Sequence, residues 1–290
     1  MDYLVKGLPL DKNFRAYAVC CKEVVEEARK LQKLSPVASA ALGRALAGVA
    51  LLSADLKIGR ILLQIKGDGP LGEILAEGDY QGFLRGTVQN PQVYLDPVNN
   101  KLPVGLAVGK NGFLAVVKDL GLKEPYHGSV ELISGEIAED LAYYLTFSEQ
   151  IPSAVSLGVL VDRDGSILAA GGFLIQKLPE ATEAEIEELE NRLRNFPPVT
   201  SLLSSEKTPE EILQMIFPKI DFLERKPLAW RCTCSEKRVE ETLVALGKAE
   251  LKAFLKEGKP VSVTCEFCKK TYTISLEKVE QIMEEVFSDV

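Results

Sequence analysis

One histidine in 290 residues excludes a good deal. His127 alone cannot build a His-rich metal site. A Ser-His-Asp triad would have to use this one residue, with no G-x-S-x-G elbow to accompany it. Long apolar runs are missing too: no segment approaches 18 uncharged apolar residues, so none reads as a membrane span. The opening Met1-Asp2-Tyr3-Leu4-Val5-Lys6 has no basic region leading into an apolar run, so no secretory signal is read there. Positive charge is in deficit, with 34 Lys+Arg against 42 Asp+Glu, a net charge of −8 and a pI near 5.1. That balance argues against nucleic acid or an anionic membrane as the main partner. The expectation is a soluble cytosolic (cytoplasmic) chain in which stable disulfides are not the rule, so paired cysteines mean metal or redox chemistry.

Nucleotide use is also unsupported. Gly67-Asp68-Gly69-Pro70-Leu71-Gly72 has the G-x-G-x-x-G spacing, but Pro70 and the strand-like run after it indicate a hairpin, whereas the fingerprint must open a helix. Gly105-Leu106-Ala107-Val108-Gly109-Lys110-Asn111 is one residue short of a phosphate loop and has Asn111 where Ser or Thr should hold Mg²⁺. His127 falls in Pro125-Tyr126-His127-Gly128, read as a surface loop.

What is present suggests an α+β chain of about two domains. Hydrophobic residues make up 46%. Residues 14–21 read as a strand leading into a charged helix, 22–33, with Cys20 and Cys21 at the junction behaving as small buried hydrophobes. Ser35-Pro36 opens a helix to about Ser53 that is apolar nearly all round, so it should be a central core helix. Short strands and glycine turns fill 59–117. Ser134 is expected to cap a helix whose first turn gathers Glu136, Glu139 and Asp140 at its positive end. A hairpin follows around the Asp-Gly turn 162–165. Then six glutamates in 180–190 line one face of a helix whose other face carries Ile186, Leu189, Leu193 and Phe196. Thr208-Pro209-Glu210-Glu211 is a capping box for a second short helix. Helices this short depend on docking a thin apolar stripe, so 179–225 reads as an ordinary helical linker or, more sharply, as a metastable one, between a mixed α/β-sheet domain, 1–178, and a small last domain, 226–290.

Four of the six cysteines lie in that last domain, as Cys232-x-Cys234 and Cys265-x-x-Cys268 with 30 residues (235–264) between the pairs. Two tight pairs of thiolates are what one tetrahedral Zn²⁺ requires. The i, i+2 pair is closer than usual, and the same closeness permits a sulfur–sulfur bond once a metal leaves. About 60 residues with few large apolar side chains make a poor core, and a structural Zn²⁺ can add on the order of 10–16 kcal/mol. Arg231, Lys269 and Lys270 flank the ligands and could offset the −2 charge of a four-thiolate site.

The cysteine pattern, the acidic linker, Leu42-Gly43-Arg44-Ala45-Leu46, and the run from Ser134 through Tyr144 into Ser148-Glu149-Gln150-Ile151-Pro152-Ser153-Ala154 together resemble the heat-shock protein 33 family. The resemblance spans essentially the whole chain. It implies a redox-regulated, ATP-independent holdase chaperone rather than an enzyme. It implies one Zn²⁺ on Cys232, Cys234, Cys265 and Cys268 in the reduced, inactive state. Peroxide with mild unfolding, or hypochlorous acid, would form Cys232–Cys234 and Cys265–Cys268 disulfides and release zinc. The last domain would then unfold and the linker loosen. The protein would dimerise, hold unfolding clients under oxidative stress and later pass them to ATP-driven foldases. No role carries over to Cys20 or Cys21. Two other readings remain at this point. A static zinc-ribbon binding module is disfavoured by 10 Lys+Arg against 11 Asp+Glu in 231–290. A thiol oxidoreductase would need one metal-free cysteine of low pKa in the Cys265/Cys268 pair.

Overall fold

A computed structural model describes residues 1–287. The chain separates into two compact units, Met1–Arg231 and Cys232–Val290. The first runs β1 (Tyr3–Pro9), β2 (Phe14–Cys20), α1 (Lys22–Gln32), α2 (Pro36–Leu52), β3 (Arg60–Lys66), β4 (Glu73–Asp79), β5 (Phe83–Val88), α3 (Val104–Val108), β6 (Phe113–Asp119) and β7 (Tyr126–Glu131). It continues with α4 (Ala138–Phe147), β8 (Ser153–Val161), β9 (Ile167–Lys177), α5 (Glu183–Arg194), α6 (Val199–Ser204), α7 (Pro209–Ile216), β10 (Ile220–Pro227) and β11 (Ala229–Trp230). The second unit holds α8 (Glu236–Leu246), α9 (Lys248–Glu257), β12 (Val261–Thr264), β13 (Thr271–Ile274) and α10 (Leu276–Phe287). No helix among the described residues is long and apolar enough to cross a membrane.

Helix α2 is the axis of the first unit, as its composition requires. Ser35 Oγ accepts from the Ala38 N–H and Pro36 takes the first helical position, where its missing N–H costs nothing. Strands β2, β8 and β9 pack on one side of α2, and β3, β4 and β5 on the other. These strands belong to two sheets, ordered β10-β1-β2-β9-β8 and β11-β5-β4-β3-β6-β7 among the described residues. Gly43 permits this closeness: a Cβ there would lie 2.6 Å from a Val159 methyl and 2.8 Å from one of Val25.

The five-stranded sheet is apolar on both faces. Leu4, Tyr17, Val19 and Leu174 point toward α2, while Tyr3, Val5, Phe14, Ala16, Ala18, Phe173 and Ile175 point the other way. Ile212, Leu213 and Ile216 of α7 and Val199 and Leu202 of α6 cover this second face. The segment read from sequence as a linker is thus a layer on the sheet, and its last part, β10, pairs antiparallel with β1.

Three local expectations are corrected. Ser134 does not cap α4, which starts at Ala138. The Asp140 carboxylate instead gathers the Ile133, Ser134 and Ile137 N–H groups at 2.8, 3.0 and 3.1 Å, while Glu136 pairs with Arg44. Asp140 is fully buried. Asp140→Ala is expected to lower first-unit stability by about 3–5 kcal/mol, because three N–H groups lose a charged acceptor; a urea melt measures it. His127 lies in strand β7, exposed, rather than in a loop. Finally, Leu106–Val108 belong to α3, and the two glycine strings meet each other. Asp68 accepts from the Lys110 and Asn111 N–H groups at 3.1 and 3.2 Å and from the Asn111 amide at 2.6 Å. An internal carboxylate thus ties the two strings together.

Candidate metal centre

The second unit has a small core, formed by Val239, Leu243, Leu251, Ile274, Val279 and Ile282. Two loops bring the cysteines to one spot. Cys232 and Cys234 immediately precede α8, whose N-terminus Ser235 caps by accepting from the Arg238 N–H at 3.3 Å. Cys265 and Cys268 form the turn between β12 and β13. The Cys265 N–H donates to the Lys270 carbonyl and the Lys269 N–H to the Cys265 carbonyl, both at 2.9 Å. Lys269 takes the left-handed conformation, φ 57°, that closes this knuckle.

All four sulfurs lie within 4.8 Å of one another. Cys234 and Cys268 are 3.4 Å apart and Cys232 and Cys265 3.6 Å. A tetrahedral ion with bonds of about 2.3 Å sets its sulfurs about 3.8 Å apart, so the four thiols fit one. A disulfide would need about 2.05 Å, so this is the reduced arrangement. The all-sulfur set selects a soft or borderline ion over Mg²⁺ or Ca²⁺.

Electrostatics favour a thiolate at one position. Burial opposes ionisation of Cys234, yet the Tyr272 hydroxyl, donating to its Sγ at 3.2 Å, and the neighbouring thiols outweigh it and hold it down to about 7. Burial and bonding to the other sulfurs push Cys268 up to about 12. Burial also raises Cys232. Without a cation the cluster thus resists multiple ionisation. Of the flanking cations, Lys269 pairs with Glu266 at 2.8 Å and Lys270 lies over the Tyr272 ring at 4.8 Å, while Arg231 stacks on Phe83 at 4.4 Å. Tyr272 is the contributor that the sequence reading missed; its place two residues into the strand leaving the second pair was the available signal.

Cys20 and Cys21 are not in this cluster. Cys21 is fully buried and burial pushes its thiol well up; burial also raises the partly covered Cys20, in keeping with packing residues.

The family model described as Hsp33 protein matches residues 2–275. The chain belongs to the Hsp33 family. A 33 kDa chaperonin of Caldanaerobacter subterraneus subsp. tengcongensis is 45% identical over 290 residues, 98% of both chains. Another, of Geobacter sulfurreducens, is 48% identical over 284 residues, 97% of this chain and 94% of the relative. The crystal structure of the 33 kDa chaperonin (heat shock protein 33 homolog) of Thermotoga maritima matches with a TM-score of 0.90 at 41% identity, covering 99% of each chain. The α+β architecture and the family resemblance read from sequence both stand, and Hsp33 membership makes the chain a chaperone.

Proposed function

We propose that this Hsp33 chain is a redox-regulated, ATP-independent holdase of the cytoplasm, inactive while its four cysteines hold Zn²⁺ and active once they are oxidised. It carries out no enzymatic turnover. The observation that supports this most is a pairing along one chain. Short helices α6 and α7 cover an apolar sheet face, and the segment that follows them leads directly into a unit that has a small core and four clustered, oxidisable thiols. Functionally the chain then has three parts: a client-binding and dimerising core, 1–178, a releasable linker, 179–225, and a redox-switch domain, 226–290.

When bound, Zn²⁺ keeps the four sulfurs as thiolates and ties Cys232 and Cys234 to Cys265 and Cys268. In oxidation, each pair of thiolates gives two electrons to one peroxide, which takes two protons from solvent and leaves as two waters. Two such steps consume all four ligands. The pairing decides the outcome. Cys232–Cys234 and Cys265–Cys268 bonds leave the two loops untied, so the domain opens. Cross bonds, Cys232–Cys265 and Cys234–Cys268, would staple it shut. Bonds within the pairs are what the family resemblance implies, and they are the ones that would let the domain open. The opened domain loosens the linker, the sheet face dimerises and holds unfolding proteins, and ATP-dependent foldases receive these clients when reducing conditions return.

Light scattering from a heat-unfolded client, without ATP, tests this reading. Suppression is expected after warm peroxide and not in the reduced, zinc-loaded protein, and peptides from the active sample should carry the two within-pair disulfides. Equal suppression in both states, or cross-linked pairs in an active sample, would contradict it.

A further inference from the structure

Helix α5 is docked differently from the helices beside it. Helices α6 and α7 bury apolar side chains, whereas no residue of α5 is buried; Ile186, Leu189 and Leu193 are only partly covered. A cavity of about 210 Å³ remains between α5 and the strands, lined by Phe14, Ala154, Ile175, Ile186, Leu189 and Leu193 among others. Packing that leaves such a gap gives weak hold, because the lining atoms lack partners. Polar groups supply the rest. They come from the tip of the β1–β2 hairpin.

There the Glu185 carboxylate does two jobs. It closes the capping box of its own helix, accepting from the Thr182 N–H at 2.8 Å with the Thr182 hydroxyl at 2.9 Å. It also accepts from the Asn13 N–H at 3.0 Å and the Asn13 amide at 3.3 Å. Asn13 in turn accepts the Leu178 N–H on its carbonyl at 3.0 Å, so one residue holds both the start of the linker and the first turn of α5. One residue before it, Lys12 reaches Glu188 at 2.6 Å, one turn further along α5. Glu188 also takes Arg192 at 3.0 Å, and Arg192 donates to the Ile216 carbonyl at the end of α7. The six-glutamate segment is therefore more than a solubilising face: two of its carboxylates are the anchors of the helix.

We propose that the β1–β2 tip, through Lys12 and Asn13, is a clamp that sets how readily α5 leaves the sheet. It is a thiol-independent restraint on the same linker that oxidation is read to release, and it rests on that reading only for its consequence in activity. Lys12 and Asn13 act as positioning residues, through Glu188 and Glu185, and α5 is the part of the linker that departs first.

Hydrogen exchange of the reduced, zinc-loaded full chain tests the clamp. Asn13→Asp replaces a donor with a carboxylate facing Glu185, and α5 amides are expected to exchange about tenfold faster, with α2 amides unchanged as the folding control. Lys12→Glu should speed α5 severalfold, and the swap Lys12→Glu with Glu188→Lys should return it toward the parent rate, a rescue that a merely local disturbance would not show. Zinc content should stay at one per chain throughout. Parent-like α5 exchange in both single variants, or a swap that exchanges as fast as Lys12→Glu alone, would overturn the clamp. Failure of the holdase reading would appear instead in the oxidised parent protein, which this measurement does not involve.

Discussion

Cys268→Ser is expected to unfold residues 232–287 while the first unit stays folded. The mutation removes one of four sulfurs whose mutual spacing fits a single ion, including the Cys234–Cys268 approach of 3.4 Å. Only six apolar residues are buried in that unit's core, with half-buried ones packed around them. A core this small is a weak hold for a unit of this length, and the proposed Zn²⁺ is expected to supply what it lacks. The first unit has its own α2-centred core and should keep its thermal transition. Metal analysis after chelator dialysis should find the variant empty and the parent protein loaded, and limited proteolysis should cut the variant C-terminal to Arg231. A variant that stays protease-resistant without metal would show that the small core suffices alone.

Ile212→Asp should give the opposite phenotype: an exposed apolar surface with the thiols untouched. Ile212 is fully buried where α7 lies on β1 and β2. Placing a carboxylate there costs several kcal/mol unless the helix leaves. An eight-residue helix has no stability of its own to resist departure. Its loss uncovers Tyr3, Val5, Phe14, Ala16 and Ala18, together with the ring of Phe217 that sits 5.8 Å from Phe14. The reduced variant is expected to bind an apolar dye such as ANS strongly and to suppress client aggregation without oxidant. A folded, reduced variant that binds no more dye than the parent protein would mean that α7 does not guard the surface.

Much of this was legible in the sequence because its signals are local. Ser35-Pro36 and a nearly all-apolar run with Arg44 its only charge announced α2, the Asp-Gly turn announced the β8–β9 hairpin, and the Thr208–Glu211 capping box announced α7. The cysteine spacing marked the cluster. What stayed hidden depends on distant partners. Strand β10 carries Asp221, Glu224, Arg225 and Lys226 and is an edge strand, so it shows no alternation, and only its pairing with β1 makes it a strand. Helix α6 is six residues after Pro197-Pro198, too short for periodicity to register. Ser134 looked like a cap because capping residues and acidic first turns also occur where, as here, a buried carboxylate one turn later gathers the same N–H groups. The linker's apolar stripe could be read, but its partner, the second face of the five-stranded sheet, could not: Ala16, Ala18 and Phe173 look like ordinary core until both faces prove apolar.

The central claim is that thiol oxidation in the second unit uncovers the sheet face in the first. Hydrogen exchange before and after oxidation, read separately for residues 232–287, for α5–α7 and for α2, tests it most directly. The account predicts that oxidation strips protection from the cysteine unit and from α5–α7 together, while α2 remains protected. Loss of protection confined to residues 232–287, with α5–α7 as slow as in the reduced protein, would contradict it.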